Sequence, residues 1–195
     1  MKKNLIKVVL VIVLILLLLF LINLFMNYSI LNKICKSNEE LNRTITNYYY
    51  KHNTEYLKGN MKNLNTETIC YNGIYLSKTY IDDALYMVTW FDSNTNEIIR
   101  KDGAGNETTV DNTDFVKQYE EMLLNSKYIG NILGQNLFTR INNKDGYYEI
   151  KIDDFTVFVD VDTKLIKKYN AGDTISTFDI KTDTVSSSDV DKNKI

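Results

Sequence analysis

The chain has 195 residues, 44% of them hydrophobic and 25% charged, with a formal net charge of -2. That is globular composition, which excludes collagen-like, mucin-like and wholly disordered chains. Lys2, Lys3 and Lys7 are three of the 23 bases, so residues 27–195 set 20 bases against 25 acids and carry about -5. A mildly acidic body of this kind lacks the clustered basic surface that nucleic acid requires.

The first element is apolar. Val8 to Met26 reads VVLVIVLILLLLFLINLFM, interrupted only by Asn23. At about 1.5 Å per residue it matches the roughly 30 Å hydrocarbon core of a bilayer. A cleaved signal peptide has a shorter apolar region ending in a small-x-small site, and Asn23 to Tyr28 offers none. A lipoprotein signal needs a small residue directly before its cysteine, whereas Cys35 follows Ile34. The expectation is an uncleaved anchor. Lys2, Lys3 and Lys7 before the span outnumber Lys33 and Lys36 beyond it, so the positive-inside rule places the N-terminus in the cytoplasm and the rest outside. Residues 1–27 are then stub and transmembrane anchor, 28–37 a juxtamembrane linker, 38–184 an extracytoplasmic domain and 185–195 a flexible tail.

Ser37-Asn38-Glu39-Glu40 has the form of a capping box, which predicts a helix start. Leu41, Ile45, Tyr48, Tyr49, His52 and Tyr56 then fall on one face of a 3.6-residue period, with Gly59-Asn60 as the stop. On that helix Tyr48 and Tyr49 point inward and Tyr50 outward. From Thr68 the pattern changes to β-branched and aromatic runs between turn residues. Strands are expected at 68–77, 85–92, 97–101 and 107–110, then a second helix over 114–133. Further strands follow at 137–141, 147–152, 156–161, 165–169 and 174–181. Their short connections require antiparallel pairing. A long meander buries an apolar helix face only by curling around it, so the expected class is α+β: an N-terminal transmembrane helix followed by a curled antiparallel half-barrel sheet, with helices in or over its concave face.

Phe158-Val159-Asp160-Val161-Asp162-Thr163-Lys164-Leu165-Ile166-Lys167-Lys168 resembles the strand, turn, strand signature of LolA-like domains. Thr177-Phe178-Asp179-Ile180 with Ser188-Asp189-Val190 resembles their final strand and exit, and Trp90 to Ile98 repeats the hairpin style. The likeness covers roughly residues 38–190. It implies an incomplete barrel that binds lipoprotein acyl chains, as in the outer-membrane lipoprotein carriers, or protein partners. The anchor departs from the soluble carriers. Abundant Asn (23 residues), Lys, Ile and Tyr with no Pro suggests a low-GC Gram-positive source, where the member nearest in character is the germination protein GerS, an activator of a cortex amidase. The missing lipid-attachment motif sets this chain apart from it.

No chemical constellation stands out. His52, the sole histidine, lies on the apolar stripe, and a packed role outweighs a nucleophile's partner. Three N or S ligands in the whole chain form no zinc site without a carboxylate. Asp153, Asp154, Asp160 and Asp162 lack the glycine and glutamate of an EF-hand loop and read as turn residues. Carboxylate pairs for glycoside hydrolysis are set in space and have no sequence signature. Catalytic residues, metals and cofactors are therefore expected to be none, and the protein to be no enzyme. A Cys35–Cys70 bridge would close a 35-residue loop and contribute roughly 3 to 4 kcal/mol; two buried thiols are the alternative. Tyr48, Tyr49, Tyr119, Met122 and Leu123 are the residues that would line a concave binding face. The expected partners are the membrane through residues 8–26 and an envelope protein or an acyl-chain ligand.

Overall fold

The computed structural model describes residues 2–108, 139–152, 154–182 and 184–195. The predicted second helix, with Tyr119, Met122 and Leu123, lies outside the described residues.

Helix α1 runs unbroken from Lys2 to Thr44. Glycine and proline are absent before Gly59, so nothing in the chain kinks it. The capping box at Ser37 lies inside the helix and starts nothing, and the segment 28–37 is helical throughout. Residues 6–26 are exposed apolar side chains with few exceptions, whereas the turns that follow bury Leu31, Ile34 and Asn38. Those residues recur at spacings of three and four, one stripe of the helix.

The region 47–56, expected as helix, is strand β1 (Asn47–Tyr56). The helical stripe was fortuitous. Three consecutive tyrosines followed by His, Asn and Thr favour an extended chain, and Tyr48, Tyr50 and Thr54 alternate into the interior with period two. The expected strand 68–77 is likewise two strands, β2 (Leu64–Tyr71) and β3 (Ile74–Ile81), joined at Asn72-Gly73. Asn72 (φ 48°) and Gly73 (φ 80°) both adopt left-handed backbone, the hairpin geometry that Asn-Gly favours. β4 (Ala84–Asp92), β5 (Glu97–Asp102), β6 (Arg140–Lys144), β7 (Tyr147–Ile152), β8 (Phe155–Asp160), β9 (Ile166–Ala171) and β10 (Thr174–Thr182) complete the set. Gly103 is required by packing, since a Cβ there would meet the Leu85 carbonyl oxygen at 2.1 Å.

The ten strands of the described residues form one antiparallel sheet in the order β5-β4-β3-β2-β1-β10-β9-β8-β7-β6. Two meanders are joined at its centre by β1 and β10, which pair from Tyr48↔Thr182 to Tyr56↔Thr174. Among the described residues the sheet does not close. Its inner face packs Tyr48, Tyr50, Cys70, Ile150, Val157, Val159, Ile166 and Phe178 around Leu31 and Ile34 of α1. Asn38 Nδ2 donates to the carbonyls of Ile34 (2.8 Å) and Lys164 (2.9 Å), and Asn27 Nδ2 to that of Thr139 (2.9 Å). Helix and sheet share one core.

The outer face carries a second cluster of Leu76, Val88 and Trp90, capped by Val190. The tail 185–195, expected to be frayed, instead forms two 3-10 turns, Ser187–Val190 and Lys192–Lys194. Trp90 Nε1 donates to the Val190 carbonyl at 2.7 Å, and Lys101 Nζ to that of Ile195 at 3.1 Å. A flat polar composition hid one valine and one isoleucine that find an apolar sheet face.

Several loops share one device, an aspartate at a strand end whose carboxylate accepts from the turn. Asp92 takes Asn94 N, Asp102 takes Ala104 N and Asn106 N, and Asp160 takes Asp162 N, Thr163 N and Thr163 Oγ1. These bonds, Thr163 N first, hold the Asp160 carboxyl below the usual carboxylate range. Its stabilisation is complete above that range and is lost as pH falls through the lowered value. Asp160→Ala should destabilise the domain by about 1 kcal/mol in urea unfolding at neutral pH, and the difference from the parent should shrink on acidification.

Candidate functional site

The strongest grouping of polar and aromatic side chains lies on the inner face of the central strands. Register fixes it. His52 on β1 stands opposite Thr66 on β2 and Phe178 on β10, while Tyr50 faces Thr68 and Thr54 faces Ser176. Thr68 in turn faces Ser77 on β3, which faces Thr89 on β4. Thr54, Thr66, Thr68, Ser77, Thr89 and Ser176 are all buried. Cross-strand hydroxyls satisfy one another, at 3.1 Å between Thr68 and Ser77 and 3.3 Å between Thr54 and Ser176.

His52 stacks on Phe178 with centroids 4.7 Å apart, and its Nε2 lies 3.1 Å from Thr54 Oγ1. Tyr169 continues the aromatic row at 5.6 Å from Phe178, and Phe155 lies 5.3 Å from Tyr169. The Tyr50 hydroxyl is buried without a hydrogen-bond partner among the described residues, and burial pushes it well above the usual phenol range. A buried polar group of this kind is a point of high energy, since its desolvation goes uncompensated.

Burial alone lowers the His52 pKa, so the folded ring stays neutral where the unfolded one is charged. The unfolded state therefore binds more protons, and stability is full above the ordinary histidine pKa and falls as pH drops below it. With a single histidine the test is clean. Urea unfolding between pH 7.5 and 5.5 should show stability falling by no more than about 1.4 kcal/mol per pH unit, the slope for one proton. His52→Phe should flatten that slope.

Of the residues singled out by sequence, Tyr48 and Tyr49 lie on opposite faces of the sheet. Tyr48 is buried on the inner face. Tyr49 points to the opposite face, paired with Lys181 and Ile69 and with Lys181 Nζ 5.7 Å from its ring centroid. Tyr50, read as outward, is the residue that joins Tyr48 inside. Tyr119, Met122 and Leu123 fall outside the described residues. Cys35 and Cys70 are thiols and no disulfide joins them; burial raises both pKa values, and Cys70 Sγ donates to the Thr46 carbonyl at 3.5 Å. Among the described residues no three of His, Cys, Asp or Glu gather where a metal ion would sit. The hydroxyl row was missed because its strands were misassigned; Thr66-x-Thr68 and Ser77-x-Thr79 alternate visibly once β1 is read as a strand.

This arrangement is an interior one, with buried hydroxyls that bond each other beside stacked aromatic rings. No protein-family model matches the chain, and no curated protein matches it.

Proposed function

We propose that the chain is a membrane-anchored, non-enzymatic binding domain of LolA-like half-barrel type, with its N-terminus in the cytoplasm and its sheet on the outer side, that engages a protein partner of the envelope. The observation that carries this reading is the continuity of α1. One helix is long and apolar enough to cross a membrane, spanning Ile6–Leu41, and its last turns are built into the core of an open sheet. A body fixed in this way is suited to presenting a face at one place rather than to ferrying cargo. The resemblance adds a narrower expectation, a role in sporulation or germination like that of GerS.

The alternative, a carrier or sensor of acyl chains, needs an apolar cavity under the sheet. Leu31 and Ile34, fully buried, fill the inner face beside β7 and β8, which favours the protein partner. Mild crosslinking in native membranes followed by co-purification should recover one reproducible envelope protein. Recovery of the bare monomer overturns this reading, and acyl chains found by mass spectrometry after native extraction would favour the carrier.

A further inference from the structure

The ends of the sheet can be placed relative to the anchor. α1 crosses the inner face from Asn27, bonded at the start of β6, to Asn38, bonded at the β8–β9 turn. β1 begins at the Asn38 end and finishes with Tyr56 at the Asn27 end. Antiparallel pairing of Tyr56 with Thr174, of Thr54 with Leu64 and of Leu64 with Ile81 brings the β1–β2 loop, the β3–β4 turn and the β9–β10 turn to that same end. Asn27 directly follows the apolar stretch. Phe20, Asn23, Leu24 and Asn27 also line a groove of about 370 Å³ with residues Thr139–Asn142, so an edge of the sheet lies against the last turns of the span. Tyr28, 53% exposed, stands at the level where interfacial aromatics gather.

This end of the domain exposes apolar side chains. Leu57 is 53% and Met61 69% exposed in the β1–β2 loop, beside Leu85 at 41% and Tyr86 at 56% after the β3–β4 turn. Single exposed apolar residues are ordinary; these are gathered and held. Asn63 N donates to Asp82 Oδ1 (2.9 Å), Asp82 N to the Asn63 carbonyl (3.0 Å), and Leu57 N to the Asp173 carbonyl (2.8 Å). The loop 57–62 contains two lysines and no acid, and Lys58 is tied to Asp173 at 2.8 Å. The turns at the opposite end, Asn72-Gly73, Ser93–Asn96, Asp145-Gly146 and Asp162–Lys164, are polar, with Tyr147 the exposed large apolar side chain beside them, while the loop end also carries the acidic turns Asp82-Asp83 and Gly172-Asp173.

We propose that the β1–β2 loop is a second membrane contact: Leu57 and Met61, with Leu85 and Tyr86 beside them, enter the interfacial layer of the bilayer that α1 crosses, and Lys62 meets its lipid phosphates. Apolar side chains flanked by lysine are the composition that such an interface retains. The proposal rests on α1 being a span, and the experiment separates the two. The full-length chain is placed in nanodiscs of phosphatidylcholine and phosphatidylglycerol, with one environment-sensitive fluorophore on Met61→Cys, Thr95→Cys or Leu14→Cys. The parent chain, with its half-buried Cys35 and buried Cys70, supplies the labelling background. Lipids carrying a nitroxide near the headgroup should quench the Met61 probe at least threefold more than the Thr95 probe at the polar end, and nitroxides deep in the acyl chains should quench Leu14.

Leu14 quenched with Met61 and Thr95 alike defeats the loop contact and leaves the anchor standing. An unquenched Leu14 removes both. A Met61 probe that stays water-like in nanodiscs and is shielded only after a membrane protein is added assigns the loop to protein and overturns the lipid contact.

Discussion

Removal of residues 186–195 should shift the tryptophan emission to longer wavelength and lower the stability of the domain by about 2 to 4 kcal/mol. Trp90 is the only tryptophan in the chain, so its fluorescence reports one place. The indole is 4% exposed under Val190 and donates its N-H to the Val190 carbonyl. Without the tail the ring and its neighbours Leu76 and Val88 lose their cover, and burial of a Val-sized side chain alone contributes about 1.5 to 3 kcal/mol. The indole N-H exchanges its protein partner for water, a smaller change. Val190→Asp should reproduce much of the shift, whereas Lys151→Ala, which removes a surface ion pair to Glu149 on β7, should leave emission and stability nearly unchanged. Unaltered emission on removal of the tail would show that it does not cover Trp90 in solution.

The larger effect is expected in the helix. Leu31→Ala and Ile34→Ala each delete side chains that are 1% and 0% exposed at the centre of the main cluster, and each should cost about 2 to 5 kcal/mol. Domains of this size have only about 5 to 15 kcal/mol in all, so the double variant should unfold outside the membrane while the apolar span remains inserted. Limited proteolysis of membrane vesicles would show this as cleavage throughout the sheet with a protected N-terminal fragment. Ser29→Ala, on the same helix but outside that buried pair, should leave the digestion pattern unchanged. If the double variant resists protease as the parent does, the helix is not part of the core.

The apolar helix and the seven strands β4 to β10 were legible because each carries its own local signal, a long uninterrupted run of aliphatic residues or a β-branched segment bounded by Asp, Asn and Gly. β1 was not. Its residues satisfy a helical stripe and a strand alternation at once, and what decides is the partner. β10 lies about 126 residues away in sequence and offers Phe178 and Ser176 to His52 and Thr54. No local window contains that pairing. The same error reversed Tyr49 and Tyr50 and concealed the row of hydroxyls, whose members share a face only once β1 is extended. The hairpin at Asn72-Gly73 had an adequate signal in its own dipeptide. The tail was misjudged on composition, because Val190 and Ile195 among polar residues are enough when an apolar outer face waits for them.

The unbroken course of α1 gives the proposed anchor a mechanical character. With no glycine, proline or loop between the bilayer and the body it carries, the domain has no swivel. Its azimuth around the membrane normal is locked to that of the helix, and a tilt or twist imposed at one end is delivered as torque at the other. On the proposed reading a partner meets a face whose orientation is fixed relative to the helix, and a change in the helix's tilt would re-aim the whole body like a lever.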